Sequence, residues 1–229
     1  MGRAISERLA GAGYDLVLHY HSSEDEARTT ARELRDLGAR VETVRADLTV
    51  PEQIPRPFEA ADSAFGGLDL LVNSAAVFPR SDPLETTVED WDAVFALNAR
   101  AAYFCSQEAA RRMEAGAIVN IVDTGADQAW PGYVPYVASK AALASVTRGL
   151  AAALAPRIRV NAVAPGPVLL PEDADGPAER ETVQRLTALG RVGSPADVAD
   201  AVLYLAEADY VTGEILRVDG GQHLRPHRR

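Results

Sequence analysis

The chain has 229 residues and is 47% hydrophobic, enough to bury the core of one domain. Its 33 acidic against 23 basic residues give a formal charge of −10. Such an excess repels polyanions over most of the surface and excludes nucleic acid as the expected partner.

The chain opens with an amphipathic helical stretch, RAISERLAGAG, followed by the strand-like run DLVLHY and a helix from about Ser23 to Leu37. RVETVRA then predicts a strand, and a further helix ends near Phe65. LDLLVNSA, a long helix from about Val88 to Met113, AIVNIVD, a helix from Val134 to Leu154 and RIRVNAVAPG continue the alternation. A last helix and strand end in EILRVDGG. Strand and helix in strict alternation predict one domain, residues 1–229, with an α/β doubly wound parallel sheet covered on both faces. LDLLV and AIVNIV are apolar at nearly every position, as burial on both faces requires. PGPVLLPEDADGPAERE, rich in proline, glycine and acid, breaks the rhythm and is expected to form a loop leading into a short helix, placed to act as a lid.

The single cysteine, Cys105, lies in the apolar run AAYFCSQEAA, which predicts core packing and a reducing compartment. No run approaches the roughly 18 apolar residues of a membrane span, and the N-terminal stretch has no continuous signal-peptide core, so a cytoplasmic location is expected. The basic tail HLRPHRR is read as a solvated terminus. His19 and His21 alternate onto one strand face but have no clear third ligand, so no metal is expected.

Tyr136 and Lys140 stand at i and i+4 of the helix beginning at Val134, so a phenol and an ammonium share one face. A free phenol titrates near pH 10, and a neighbouring cation is expected to lower that value and make proton transfer efficient. Asp123 precedes the tyrosine by thirteen residues. Two readings of it stay open: a carboxylate that positions the phenol and shares in proton delivery, or an Asx turn capping Thr124 and Gly125.

YVASK after the strand NIVD, LVNSAA after an earlier strand, Asn98 within FALNARAAYF, and NAVAPGPV together resemble the short-chain dehydrogenase/reductase family over essentially the whole chain. The resemblance implies a Rossmann-like sheet that binds a nicotinamide dinucleotide. It implies Tyr136 as proton donor with Lys140 as partner, the latter also reaching the ribose, and Asn98 supporting a water-mediated proton relay. Asp47 is implied near the adenine, Asn73 at the start of a turn, and Pro165 and Gly166 beside the nicotinamide. Most members carry a serine where Asp123 stands, whereas pteridine reductases carry an aspartate. LHYHSS, Phe78 and VDGG also resemble bacterial pteridine reductases and their dihydrofolate-reducing relatives.

The leading expectation is therefore an NADPH-dependent reductase of a pterin or dihydrofolate-like ring. A ring nitrogen that becomes basic as hydride arrives wants a proton, and a carboxylate can bind an amino-pyrimidine edge. Phe78 offers a flat surface for such a ring. Ala75, Ala76 and Val77 stand where the family shows hydroxyls. The first alternative is a carbonyl reductase of the same fold acting on a ketone or 3-oxoacyl thioester, with Asp123 structural. The second is a noncatalytic relative that acts as an interaction partner. NADPH is favoured over NADH because His21, Ser22 and Ser23 follow Tyr20 where an acidic residue would select NAD, although Glu24 and Asp25 follow closely and no arginine stands in that turn.

The resemblance also implies a first strand and glycine-rich turn ahead of Gly2, which matches only the last glycine of that turn. The expectation is a start internal to a longer enzyme. The alternative is a short product with weakened cofactor binding. The helices from Val88 and from Val134 match those that pair subunits in the family, so a homotetramer is expected.

Overall fold

A computed structural model describes residues 1–169 and 176–224. The tail from Arg225 and residues 170–175 of the expected lid lie outside them. The elements follow the expected alternation: α1 (Gly2–Gly11), β1 (Leu16–Tyr20), α2 (Glu24–Asp36), β2 (Val41–Arg45), α3 (Arg56–Phe65) and β3 (Leu70–Asn73). α4 (Val88–Phe95), α5 (Ala102–Arg112), β4 (Gly116–Ile121), α6 (Val134–Leu154) and β5 (Ile158–Pro165) come next. α7 (Pro177–Leu186), α8 (Pro195–Glu207) and β6 (Ile215–Val218) complete the order. Every described strand pairing is parallel.

The sheet is split. β1 pairs only with β2, and a second sheet runs β3-β4-β5-β6. Among the described residues no strand lies between β1 and β3. Each backbone group left without a partner at a buried edge costs about 1–3 kcal/mol.

β4 fixes the core by its alternation. Val119 and Ile121 pack with Ile5 and Leu9 of α1 and Val198 and Val202 of α8. Ile118 points to the opposite layer, among Phe58 of α3, Cys105 and Ala109 of α5, and Ala151 of α6. Cys105 is thus core, as expected, and its burial pushes the thiol up to about 12. Asn120, on the same side as Ile118, is fully buried and accepts from Asn73 Nδ2 at 2.8 Å while donating to Thr147 Oγ1 at 2.9 Å. Asn73 Nδ2 also reaches Ser106 Oγ at 3.1 Å, so a polar chain ties β3 and β4 to α5 and α6.

Local signals set the helix ends. Ser194 and Asp197 form a reciprocal capping box on α8, with Pro195 in its first turn, and Thr87 with Asp90 does the same for α4. The long helix expected from Val88 to Met113 is not continuous, because a π-helical turn spans Ala96–Ala101 between α4 and α5. Asn98 sits in that turn and spends its carboxamide on the neighbouring chain: Oδ1 accepts from Val77 N at 2.9 Å, and Nδ2 donates to Val77 O at 3.0 Å. A side chain holding outside backbone favours the inserted residue of a π turn. α6 spans Val134–Leu154, the range its periodicity predicts.

Replacing Asn120 by Ala removes the bridge between Asn73 and Thr147 inside the core. A loss of about 1–3 kcal/mol in urea-unfolding free energy is expected, without change in the slope against denaturant.

Candidate active site

The C-terminal end of β4 and one face of α6 meet in a buried cluster. Tyr136 Oη donates to Asp123 Oδ2 at 2.8 Å, and the other carboxyl oxygen accepts from Gly125 N at 2.6 Å. One oxygen therefore caps the turn, as the second reading has it, and the other accepts from the phenol. Gly125 is required there, because a Cβ would lie 2.9 Å from the Trp130 ring and 3.0 Å from Asp123 Oδ1. Lys140 Nζ donates to Ile121 O at 2.8 Å and lies 5.9 Å from the centre of the Tyr136 ring. That one bond uses a single ammonium N–H, and among the described residues no other acceptor contacts the group.

Burial sets the protonation of all three. It raises the Asp123 carboxyl above its ordinary value, with the Gly125 N–H, the Tyr136 hydroxyl and the Lys140 charge opposing in that order. It lowers Lys140 to about 8, offset by Asp123. It raises Tyr136 far above the ordinary phenol value, and the Asp123 charge adds to the effect. This corrects the expectation that Lys140 depresses the phenol: desolvation and a nearer anion outweigh a cation whose bond goes to a carbonyl. At neutral pH Tyr136 is a stored proton, not a phenolate.

Phe78 roofs the cluster. Its ring stacks on Tyr133 with centres 4.3 Å apart and 3° between planes, and meets Tyr136 edge-on at 4.4 Å. Trp130 stands edge-on to Phe78 at 6.4 Å. Sequence reasoning found Phe78 but missed Tyr133 and Trp130, although both lie in the WPGY stretch just before Tyr136. Asn98 reaches this region as a structural tie, its Nδ2 also 3.1 Å from Ser139 Oγ, so its carboxamide holds the segment leading to Phe78.

The other expected residues lie on strand ends. Gly2 begins α1, where a Cβ would stand 3.8 Å from Ser74 Oγ. Asn73 ends β3 and is consumed by the core chain described above. Asp47 follows β2, accepts from Thr49 N at 2.9 Å, and lies 3.7 Å from His21 Nε2. Pro165 ends β5, and Gly166 lies so close to Asp219 that a Cβ would meet its Cα at 2.7 Å. Ser22 and Ser23 are exposed at the start of α2, and Ser23 makes no side-chain cap bond. Glu24, Asp25 and Glu26 follow in the first turn of that helix.

One cation escaped the sequence reading. Arg45 is paired with Tyr20 in the β1–β2 register, and its Nε donates to His21 O at 3.2 Å. An arginine from the next strand therefore stands against that turn. Parallel pairing of the two strand ends is the signal that would have found it. His19 Nε2 donates to Ala46 O at 2.8 Å, and no cluster suited to a metal occurs among the described residues.

A family model described as enoyl-(acyl carrier protein) reductase matches residues 1–223. The chain is 36% identical over 237 residues to a 3beta-hydroxysteroid dehydrogenase 1 of Eggerthella lenta, covering 99% of this chain and 90% of that protein. The chain belongs to the short-chain dehydrogenase/reductase family. A 3-oxoacyl-[acyl-carrier-protein] reductase of Staphylococcus aureus is 32% identical over 232 residues, covering 98% of this chain and 94% of its own. The structure of the angucycline C-6 ketoreductase LanV with bound NADP superposes with a TM-score of 0.91 at 35% identity, covering 98% of this chain and 91% of that one. The fold and the oxidoreductase class of this short-chain dehydrogenase/reductase follow, and the family uses nicotinamide cofactors. No helix among the described residues is long and apolar enough to cross a membrane.

The lowered Lys140 has a measurable consequence. Between pH 8 and 10.5 the unfolded chain holds a proton that the folded chain has released, so this group makes stability rise with pH across that window. Relative to Lys140→Met, the wild-type unfolding free energy should gain about 2 kcal/mol from pH 8 to 10, read by urea denaturation at both pH values.

Proposed function

We propose that the chain is an NADPH-dependent carbonyl reductase whose proton donor is Tyr136, acting on a carbonyl carried by a flat ring. The observation that carries the reading is the buried hydrogen bond from Tyr136 Oη to Asp123 Oδ2 beneath the Phe78 ring. The named relatives act on hydroxysteroid, 3-oxoacyl and angucycline substrates, which supports a carbonyl over a pterin.

The residues present fit the dinucleotide. The N–H groups of Lys140 that Ile121 does not take suit ribose hydroxyls, and Asp47 stands at the strand end expected beside the adenine. Ser22, Ser23, His21 and Arg45 gather donors for a 2′-phosphate, against which Glu24, Asp25 and Glu26 act by repulsion. Pro165 and Gly166 are assigned to the nicotinamide edge. The cofactor supplies hydride. The chain supplies the proton: the phenol gives it to the carbonyl oxygen as negative charge develops, and the nearby ammonium stabilises the phenolate left behind. The bond from the phenol to Asp123 Oδ2 positions it for that transfer, and burial raises the carboxyl above its ordinary value. Phe78, Tyr133 and Trp130 favour a planar ring over a flexible acyl chain.

A second reading is favoured by Asp123 itself. Most of the family carries a hydroxyl there, and a carboxylate offers an acceptor to the N–H edge of a pterin or dihydrofolate-like ring. The two readings part on turnover. Wild-type protein should oxidise NADPH with planar ring ketones, Tyr136→Phe should fall about 100-fold or more in kcat/KM, and Asp123→Ser should remain within about tenfold. Turnover of dihydrobiopterin alone, abolished in Asp123→Asn, would replace the first reading by the second. Absence of both turnover and NADPH-dependent thermal stabilisation would instead favour the noncatalytic alternative.

Arg45→Glu should raise KM for NADPH at least about tenfold while leaving that for NADH within about twofold, since only the former carries the 2′-phosphate. Homotetramer formation is part of the same proposal. It is supported by Val88, Trp91, Tyr103 and Phe104 exposed on α4 and α5, with Trp91 stacked on Phe95 at 4.7 Å. Light scattering should give four times the chain mass.

A further inference from the structure

The stacked pair beside the proton donor is closed on itself. The rings of Phe78 and Tyr133 lie 4.3 Å apart and 3° from parallel, and Phe78 meets the Tyr136 ring edge-on at 4.4 Å. A third ring between the first two needs a contact of about 3.5 Å on each side, or about 7 Å between their centres. The observed gap admits none. Phe78 therefore covers the face of Tyr133 on which a flat ring would lie beside the Tyr136 hydroxyl.

The backbone on both sides of Phe78 is tied down. Val77 exchanges two hydrogen bonds with Asn98, itself 1% exposed, and Ser81 N donates to Gly132 O at 2.9 Å, one residue ahead of Tyr133. Drawing the two ring-bearing segments apart by about 3 Å would break that last bond. The side chain is freer. Phe78 is 43% exposed, and rotation about its Cα–Cβ bond between staggered wells moves the ring off Tyr133 without moving the chain.

Resting on the carbonyl-reductase reading, we infer that the face of Tyr133 is the substrate-ring subsite and that Phe78 is its internal occupant, exchanged ring for ring with the substrate. Three walls remain when Phe78 leaves: the Tyr133 face, the Tyr136 ring, and Trp130, which stands edge-on to Tyr133 at 6.4 Å. Trp130 is held in place by the bond from its Nε1 to Gln128 Oε1 at 3.1 Å. The subsite selects a ring as flat as the phenylalanine it replaces, so the substrate class is a ketone fused to or conjugated with an aromatic ring. A puckered, saturated ring loses the stack on Tyr133 and does not repay the one it breaks. Phe78 acts on specificity as a competitor: the apparent affinity of every ligand is lowered by the fraction of chains in which its ring covers Tyr133.

The test is calorimetric titration of 2-naphthol, a flat ring with an oxygen but no reducible carbonyl, into the wild type, Phe78→Ala and the double variant Phe78→Ala with Tyr133→Leu, all without cofactor. Phe78→Ala should bind at least about tenfold more tightly than the wild type, and adding Tyr133→Leu should reverse that gain. Decahydro-2-naphthol, the saturated counterpart, should bind the wild type at least about tenfold more weakly than 2-naphthol. In proton NMR the Phe78 ring signals of the wild type, identified by their loss in Phe78→Ala, should leave their upfield, stacked position as 2-naphthol saturates. Should Phe78→Ala not fold, Phe78→Leu takes its place, keeping bulk and losing the stack. Equal or weaker binding to the variant, Phe78 signals that stay upfield at saturation, or no binding to any of the proteins overturns the inference. None of these readouts needs turnover, so failure of the reductase reading shows as absent NADPH oxidation with the order of affinities intact.

Discussion

The site depends on β4 being unable to move. Its residues are buried on both faces, it is laddered to β3 and β5, and Asn120 ties it to β3 and α6. Its end supplies the carbonyl of Ile121, which holds Lys140, and two residues later the carboxyl of Asp123, which holds Tyr136. One strand end therefore receives both residues of an i,i+4 pair on α6. The helix is positioned along its axis and about it by two hydrogen bonds of 2.8 Å each, without a loop between the reacting groups and the core. Sites held on packed elements keep their geometry better than sites held on loops.

Desolvation governs the chemistry of that cluster more than the pairwise charges do. It moves the acid, the phenol and the ammonium each toward its neutral form, and the attractions among them recover only part of the shift. At neutral pH the phenol therefore keeps its proton. In the proposed reaction a carbonyl would meet a donor that gives up its proton only when negative charge develops, which is the condition for stabilising the transition state more than the ground state. The aromatic rings of Phe78 and Tyr133 stack over the same point, and Asn98 holds the segment that carries Phe78.

Much of this was legible in the sequence. The thirteen-residue spacing between Asp123 and Tyr136 turns out to be the hydrogen bond itself, and the bounds of α6 follow from its periodicity. The parallel sheet follows from the order of apolar runs. What was not legible came from packing. Nothing in the local pattern distinguishes Lys140 bonded to a carbonyl from Lys140 bonded to the phenol, so the phenol was expected to shift down and shifts up. The π turn at Asn98 depends on Val77, twenty-one residues away, and Arg45 reaches the cofactor turn only through strand pairing. The stack of Phe78 on Tyr133 joins positions 55 residues apart in sequence (133 − 78).

The central claim is that Tyr136 holds its proton at neutral pH because burial and Asp123 keep it there. The most direct measurement is ultraviolet difference titration of the folded wild type against Tyr136→Phe, with denatured protein as the reference for ordinary phenols near pH 10. The account predicts no phenolate assignable to Tyr136 up to the alkaline limit of folding. A phenolate lost with Tyr136→Phe and appearing between about pH 7 and 9 would contradict it, and would return Lys140 to the role of the group that controls the phenol.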